Sequence, residues 1–166
     1  MNSILILISL VTNNAFAQPS VPSQQVNCQA SAVSCDYYKC KEAQKNCGND
    51  GYWIGFGQQY CQKFLENEAG FSAQTQSWFH SVRFCLQNQT NFFSSQNSCS
   101  DDFKQAMHAH VNCYAQTGFC QLSIEDRIQI MWYLKDSLTL PETYSEGLQV
   151  ELRCLRDGEL NISTPQ

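Results

Sequence analysis

The fold is decided by residues 99–120, which read CSDDFKQAMHAHVNCYAQTGFC. Largely apolar side chains recur there at the three- and four-residue intervals of an α-helix, namely at Phe103, Met107, His110, Val111 and Tyr114. Ser100 is a good capping residue, and Asp101 and Asp102 favour the positively polarised first turn of a helix. Gly118 is suited to end the helix. The stretch therefore predicts one amphipathic helix with cysteines near both of its ends.

The rest of the chain adds four more predicted helices. Three of them span residues 56–68, 74–87 and 124–139. Pro141 breaks the third, and Thr143 and Glu146 resemble a capping box for a final helix that Gly158 ends. In that final helix the leucines are expected to face inward, namely Leu148, Leu152 and Leu155. Because no segment alternates as a strand does, we predict an all-α fold, a small disulfide-stapled bundle of about five short helices.

The two ends of the chain are expected to lie outside this bundle. Residues 1–17 contain a short apolar run and end in Ala15-Phe16-Ala17, which is typical of a secretory signal peptide cleaved after Ala17. The remaining segments are predicted to be a flexible leader at 18–27, a single domain at 28–157 and a flexible tail at 158–166. No later segment contains about 18 uninterrupted apolar residues, so no membrane span is expected.

All ten cysteines follow the predicted signal peptide. An even number of cysteines in a secreted chain indicates a disulfide framework. The chain has no Cys-x-x-Cys pair that would indicate a metal or redox site instead. Ten cysteines allow roughly 945 full pairings, and their spacing alone does not choose among them.

Charge and motifs exclude several functions. The formal net charge of −5 argues against nucleic acid as a partner, since nucleic-acid binding needs clustered Lys and Arg. His108 and His110 would point about 200° apart on a helix, so they could not hold one metal ion, and His110 is expected to be buried. The chain contains neither a nucleophile elbow nor a phosphate-binding loop. We therefore expect no catalytic residue, no metal site and no cofactor, and predict that the protein is not an enzyme.

Two surface features remain. Asn88 and Asn161 each begin an Asn-x-Ser/Thr sequon and are candidate glycosylation sites. The predicted helix 124–139 carries an apolar arc about 200° wide, broader than an ordinary amphipathic stripe. One interpretation is a central helix packed on two sides. The other is an exposed strip for a protein partner or for dimerisation, with three candidate residues, Ile130, Tyr133 and Leu134.

The order of the cysteines carries a resemblance. Successive cysteines are separated by 7, 5, 7, 14, 24, 14, 14, 7 and 34 positions. Local residues agree with the same family, namely Asp50-Gly51, Cys61-Gln62-Lys63-Phe64-Leu65, Phe71, Gln74, Trp78, Cys85-Leu86 and Cys113-Tyr114. Over about residues 28–156, the chain resembles the stanniocalcins, a family of secreted glycoprotein hormones.

The resemblance implies a disulfide pairing and a mode of action. The implied pairs are Cys28–Cys40, Cys35–Cys61, Cys47–Cys99, Cys85–Cys113 and Cys120–Cys154. The implied activity is hormone-like signalling in calcium and phosphate balance, exerted through an extracellular protein that is either a receptor or a protease. The resemblance also implies that the chain has no catalytic residues of its own.

The chain also departs from the family pattern. The further cysteine that forms an intermolecular bridge in the family would lie beyond Gln166, so no covalent dimer is expected. The family sequon ahead of the fourth cysteine is absent, since residues 44–47 read QKNC. An extracellular structural or defence scaffold and a secreted small-ligand carrier or hydrolase therefore stay open. An enclosed apolar pocket between helices would favour a carrier, and an exposed apolar strip would favour a protein partner.

Overall fold

The computed structural model describes residues 27–162 of the chain and their side chains as far as Asp157. This part contains no strand, and its six α-helices are α1 Asp36–Lys45, α2 Gln59–Asn67, α3 Ala73–Thr90, α4 Cys99–Gln116, α5 Ile124–Leu134 and α6 Pro141–Ile162. A π-helical segment, Tyr52–Gln58, leads directly into α2. The predicted all-α fold is confirmed, with one α-helix more than expected. The predicted signal peptide and nearly all of the predicted leader lie outside the described residues.

The core consists of two aromatic-rich clusters that share α4. The first packs α1 and the π-helical segment against the beginning of α4, and its largest members are Tyr37, Tyr38, Tyr52, Trp53 and Phe56. The second joins the other helices, and its largest members are Phe64, Phe71, Trp78, Phe79, Phe119 and Ile130. Met107 of α4 belongs to the first cluster and Cys113 of α4 to the second. The helix predicted from residues 99–120 is therefore the element on which both halves of the core depend.

Five disulfides fasten the helices to one another, and no cysteine among the described residues is free. The pairs are Cys28–Cys40, Cys35–Cys61, Cys47–Cys99, Cys85–Cys113 and Cys120–Cys154. These are the pairs that the stanniocalcin resemblance implies. In the second cluster, Cys85–Cys113 joins α3 to α4, and Cys120–Cys154 ties α6 to the segment ahead of α5.

The sequence does not predict α1, because one of the three residues on its buried face is a lysine and the face therefore lacks an apolar stripe. The adjacent Tyr37 and Tyr38 are both buried, together with Lys41. The Lys41 ammonium lies 5.4 Å from the centre of the Trp53 ring, which compensates part of its lost hydration by a cation–π interaction. Burial nevertheless lowers the pKa of Lys41. The disulfides at Cys35 and Cys40 and these tertiary contacts hold α1 in place. An apolar stripe within the helix does not.

Two predicted helix ends near the middle of the chain are shifted. Ser98, and not Ser100, caps α4: the Ser98 hydroxyl accepts from the backbone N–H of Asp101, and the Asp101 carboxylate accepts from the backbone N–H of Ser98. Helix α5 begins after Ser123 as predicted, and the Ser123 hydroxyl accepts from the backbone of the third helical residue. The same helix ends at Leu134, short of the predicted residue 139.

Helix α6 departs furthest from its prediction. It begins at Pro141, because proline lacks the N–H that a first helical residue leaves unbonded and has a φ already suited to a helix. The predicted capping box of Thr143 and Glu146 is therefore wrong, since both residues are buried inside the helix. Gly158 does not end the helix, which continues to Ile162, so the beginning of the predicted flexible tail is helical. The residues after Ile162 lie outside the described part of the chain.

Replacement of Gly147 by alanine is expected to stabilise the protein. An added Cβ would lie 3.9 Å from Leu138 Cδ2 and 4.0 Å from Met131 Cε, which are ordinary contact distances. Alanine inside a helix is favoured over glycine, so Gly147→Ala should raise the free energy of unfolding by about 0.5–1 kcal/mol in urea denaturation. Gly118→Ala is the matched control and should lower it, because Gly118 has a φ of +99°. A loss of stability in Gly147→Ala would contradict the described packing of α6.

A carboxylate joins the beginnings of α3 and α5. Asp126 is buried and accepts hydrogen bonds from Ser72 Oγ at 2.5 Å and from Thr75 Oγ1 at 2.6 Å. These bonds, from Ser72 first and Thr75 second, hold the pKa of Asp126 below its usual value. Because the Ser72 hydroxyl also caps α3, one carboxylate fixes the starting points of two helices.

Acid should therefore destabilise the protein partly through Asp126. A lowered native pKa means that the contribution of Asp126 is complete above the pKa of the unfolded chain and is lost as the pH falls through the native pKa. We expect Asp126→Asn to flatten the fall in unfolding free energy below about pH 4 and to cost about 1–3 kcal/mol at pH 7. Urea denaturation between pH 2.5 and 7 measures both effects, with the exposed Glu125→Gln as control. Parallel pH profiles for wild type and Asp126→Asn would contradict this role.

Candidate functional site

The structure describes no metal-holding group at His108 or His110. Among the residues that the structure describes, no group of three or more His, Cys, Asp or Glu side chains is placed to hold a metal ion. His110 is partly buried, its Nδ1 donates to a backbone carbonyl one turn earlier at 2.7 Å, and burial lowers its pKa. His108 points outward, with its Nδ1 3.0 Å from Oε1 of Glu146. His108 and Glu146 line one open surface groove, and the third histidine, His80, has its Nε2 3.4 Å from Oε1 of Glu68.

The three candidate partner-binding residues of α5 face the interior. Ile130 is completely buried in the second core cluster. Tyr133 and Leu134 are partly buried and pack against the same cluster, and the Tyr133 ring lies 5.8 Å from that of Phe64 and 5.7 Å from that of Phe71. The prediction of an exposed strip at Ile130, Tyr133 and Leu134 is therefore wrong, because this face of α5 is the one that packs on the core.

The opposite side of α5 carries an exposed apolar stripe. Ile124, Ile128 and Trp132 follow one another at four-residue intervals and are 57%, 63% and 66% exposed. Lys135 extends this stripe, with its ammonium 4.1 Å from the centre of the Trp132 ring. The wide apolar arc seen in the sequence is thus divided between a face that packs on the core and a stripe that does not.

Helix α6 carries a second exposed stripe, made of the residues that were expected to face inward. Leu148, Leu152 and Leu155 are 47%, 64% and 65% exposed, and Tyr144 continues the stripe. The prediction that these leucines face the core is wrong. The buried apolar residues of α6 are Val150 and Cys154. The disulfide between Cys154 and Cys120 selects this orientation of the helix, since it requires Cys154 to point toward the bundle.

Two side-chain contacts join α5 and α6. Arg127 of α5 forms an ion pair with Glu151 of α6. Farther along α5, the Met131 side chain lies against Gly147, which is earlier in α6. Because the contacts advance along α5 as they recede along α6, the two helices run in opposite directions. Each of them also has one exposed stripe, so the relative position of the stripes decides whether they form one surface.

Both stripes lie on the same outer side of this helix pair. Successive residues of an α-helix are about 100° apart around its axis. Going around each helix in one direction therefore meets first a buried residue, then a residue at the contact between the two helices, and then an exposed residue. These are Ile130, Arg127 and Ile128 in α5, and Val150, Gly147 and Leu148 in α6. Because the helices are antiparallel, these two orders are mirror images in an end-on view. The exposed residues of the two helices therefore lie on the same side of the helix pair.

We call this surface the α5–α6 face. Its seven members are Ile124, Ile128, Trp132, Tyr144, Leu148, Leu152 and Leu155. At roughly 200 Å² for a large apolar side chain, their exposed fractions amount to about 800 Å². The largest apolar patch on an ordinary monomer is about 300–600 Å², so the α5–α6 face is large enough to indicate an interaction site. Sequence periodicity detects both stripes but does not show which side of each helix is exposed.

A cavity of about 100 Å³ lies between the helices where the two core clusters meet. Its walls are mainly apolar and aromatic, with Tyr60, Trp78, Val82 and Val150 among them. Binding sites for drug-sized molecules measure about 300–1,000 Å³, so this cavity is small for a carried ligand. It therefore gives little support to the small-ligand carrier that the sequence left open.

The two sequons lie in the last turns of helices. Asn88 is half-buried near the end of α3, and Asn161 is near the end of α6 with its side chain outside the described residues. The hydroxyl of Thr90, the third residue of the first sequon, is buried. It donates to the backbone carbonyl of Gln87 at 2.9 Å and lies 2.8 Å from the Tyr37 hydroxyl.

Within residues 27–162, none of the helices combines the length and the apolarity that crossing a bilayer requires. No curated protein and no solved structure matches the chain. The model of the stanniocalcin family matches residues 12–164, which include all six helices and all five disulfides. The matched range therefore agrees with the resemblance carried by the cysteine order. On this evidence, the chain belongs to the stanniocalcin family.

Proposed function

We propose that the protein is a secreted, hormone-like factor that acts by binding an extracellular protein, either a receptor or a protease. The match to the stanniocalcin family, a hormone family, across residues 12–164 carries this proposal. The proposal extends to calcium and phosphate balance, the physiological role that the resemblance implies.

Secretion is supported by two independent features of the chain. The first 17 residues have the pattern of a cleaved signal peptide. All ten cysteines are paired, and disulfides of this density persist in oxidising extracellular compartments. Mass spectrometry of the secreted product should show a mature start at Gln18 and no free thiol. Retention of the chain in the cell with reduced cysteines would contradict the proposal.

Glycosylation is part of the same proposal. Asn88 and Asn161 are the candidate acceptors, and endoglycosidase treatment should lower the mass of the secreted protein. Replacing each Asn by Gln would assign the loss to one site. On a non-reducing gel the chain should run as a monomer, because every cysteine is bonded within its own chain.

Binding to a protein on cells tests the proposed mode of action. Fluorescently labelled protein should bind cultured epithelial cells saturably, unlabelled protein should displace it, and trypsin treatment of the cells should remove the binding sites. The same chain after reduction and alkylation is the matched control and should not bind, because it lacks the five disulfides. Binding that does not saturate, or that survives trypsin, would overturn the proposal of a protein partner.

A further inference from the structure

The outer side of α3 carries an aromatic residue that does not belong to the core. Phe84 is 47% exposed, whereas Val82, two residues earlier and about 200° away around the helix axis, is buried. Asn88, the first residue of a sequon, is one turn after Phe84 and about 40° from it around the axis. We propose that an N-linked glycan on Asn88 packs its first sugars on the Phe84 ring and thereby stabilises the folded protein. This contact depends on glycosylation of Asn88, which is part of the proposed function, and adds a surface that holds the glycan.

The direction of the Asn88 side chain leads a glycan toward Phe84. In an α-helix the Cα–Cβ bonds tilt toward the N-terminal end, so each side chain covers the turn before its own. Sugars that begin at Asn88 Nδ2 therefore start over the turn that contains Phe84, and not over Phe92, which lies beyond the sequon. Within the described part of the chain, the half-buried Asn88 forms no hydrogen bond through its side-chain amide, so the fold does not hold Nδ2 elsewhere.

The turns before Phe84 leave room for the sugars. Ser77 and Ser81 are exposed and lie within about 60° of Phe84 around the axis of α3. The Ser77 hydroxyl donates to the backbone carbonyl of Ala73 at 3.1 Å, and the Ser81 hydroxyl donates to that of Ser77 at 3.2 Å. Both side chains are short and lie back against their own helix, so neither of them covers the Phe84 ring.

A sugar and an aromatic ring are chemically complementary. The face of a phenyl ring is electron-rich, and the C–H groups on one face of N-acetylglucosamine are apolar and weakly positive, so the two faces attract each other. The hydroxyl and acetamido groups at the edge of the sugar stay in water, so the contact buries no polar group without a partner. About half of the Phe84 side chain is exposed, which gives a sugar roughly 90 Å² of apolar surface to cover.

The attachment of the glycan adds no charge at Asn88. Asn88 Nδ2 forms a bond to C1 of the first N-acetylglucosamine, the lipid pyrophosphate that carried the glycan leaves, and the amide loses one proton. The product is still a neutral amide. The expected gain in stability therefore comes from packing on Phe84 and not from a new ion pair.

Thermal denaturation of the secreted protein tests the contact. All variants carry Asn161→Gln, so that Asn88 begins the one remaining Asn-x-Ser/Thr sequon. The glycosylated chain should melt about 3–5 °C above the same chain with Asn88→Gln. In a Phe84→Ala background, removal of the glycan should change the melting temperature by less than about 1 °C, because the ring beneath the sugars is gone. Phe92→Ala is the matched control and should leave the full effect of the glycan, since Phe92 is 78% exposed but follows the sequon.

Nuclear magnetic resonance of the glycosylated protein gives a direct readout of the same contact. The ring current of Phe84 should shift C–H protons of the first sugars upfield. The shift should vanish in Phe84→Ala and persist in Phe92→Ala. Circular dichroism should show the same helix content in all variants, because both phenylalanines are exposed.

Three results would overturn the proposal. The first is a secreted protein whose Asn88 carries no glycan in peptide mass spectrometry, which would reject both the site and the contact. The second is a glycan that stabilises Phe84→Ala as much as wild type, which would show that the sugars act without the ring. The third is a glycosylated wild type whose sugar protons have no upfield shift. Cell binding is measured separately, so the glycan contact and the proposed binding to an extracellular protein can fail independently.

Discussion

Replacing both Cys85 and Cys113 by alanine is expected to lower the free energy of unfolding by about 4 kcal/mol. The disulfide closes a loop of 28 residues, and in the chain-entropy model such a link restricts the unfolded chain by about 3.5 kcal/mol. Removal of the buried sulfur of Cys113 adds a packing loss, because this residue is fully inaccessible in the second core cluster. Because a domain is stable by only about 5–15 kcal/mol, this loss is a large part of the total.

Urea denaturation of the double variant measures this effect, with removal of Cys28 and Cys40 as the matched comparison. That disulfide closes a loop of only 12 residues, so its removal should cost about 3 kcal/mol. Helix α3 should lose more protection from hydrogen exchange in the first double variant than in the second. An equal or smaller loss for Cys85 and Cys113 would show that this disulfide does not hold α3 on α4 as described.

Ile130→Ala is expected to destabilise the protein by about 2–5 kcal/mol, whereas Ile128→Ala should change its stability by less than about 0.5 kcal/mol. The two residues have the same side chain in the same helix, but Ile130 is completely buried and Ile128 is 63% exposed. Truncation of Ile130 leaves a void in the core, whereas truncation of Ile128 removes a side chain that already contacts water.

Thermal and urea denaturation measure both effects. A large loss in Ile128→Ala, or a neutral Ile130→Ala, would contradict the orientation of α5.

The sequence predicts the class of fold because its strongest signals are patterns of neighbouring residues and the order of the cysteines. The helix at residues 99–120 combines a regular stripe with acidic residues in its first turn, so the prediction depends on neighbours in the chain. The cysteine order adds long-range information that periodicity lacks, and its resemblance to the stanniocalcins implies the same five pairs that the structure contains. Helix ends such as those at Ser98 and Pro141 were shifted, since several nearby residues could begin a helix there.

The candidate site could not be predicted because it depends on the rotation of each helix. Helix α6 has two sets of apolar residues, and the sequence favoured the more hydrophobic set, which includes Leu148 and Leu152. The disulfide of Cys154 instead turns Val150 inward and leaves the leucines outside. In α5 the apolar arc was wide enough to fit either orientation, and packing against Phe64 and Phe71 decides between them. Tertiary contacts decide the rotation of each helix about its axis, so an apolar stripe alone does not show which side of the helix packs on the core.

The buried hydroxyl of Thr90 has a consequence for the biogenesis of the protein. The enzyme that transfers a glycan to Asn88 must reach the Thr90 hydroxyl, but the native chain engages this group with Gln87 and Tyr37. We therefore propose that any glycan at Asn88 is attached before α3 packs on α1. Occupancy of that site would then depend on whether the transferase acts before the chain folds. A variant that folds more slowly should leave the cell more fully glycosylated than the wild type.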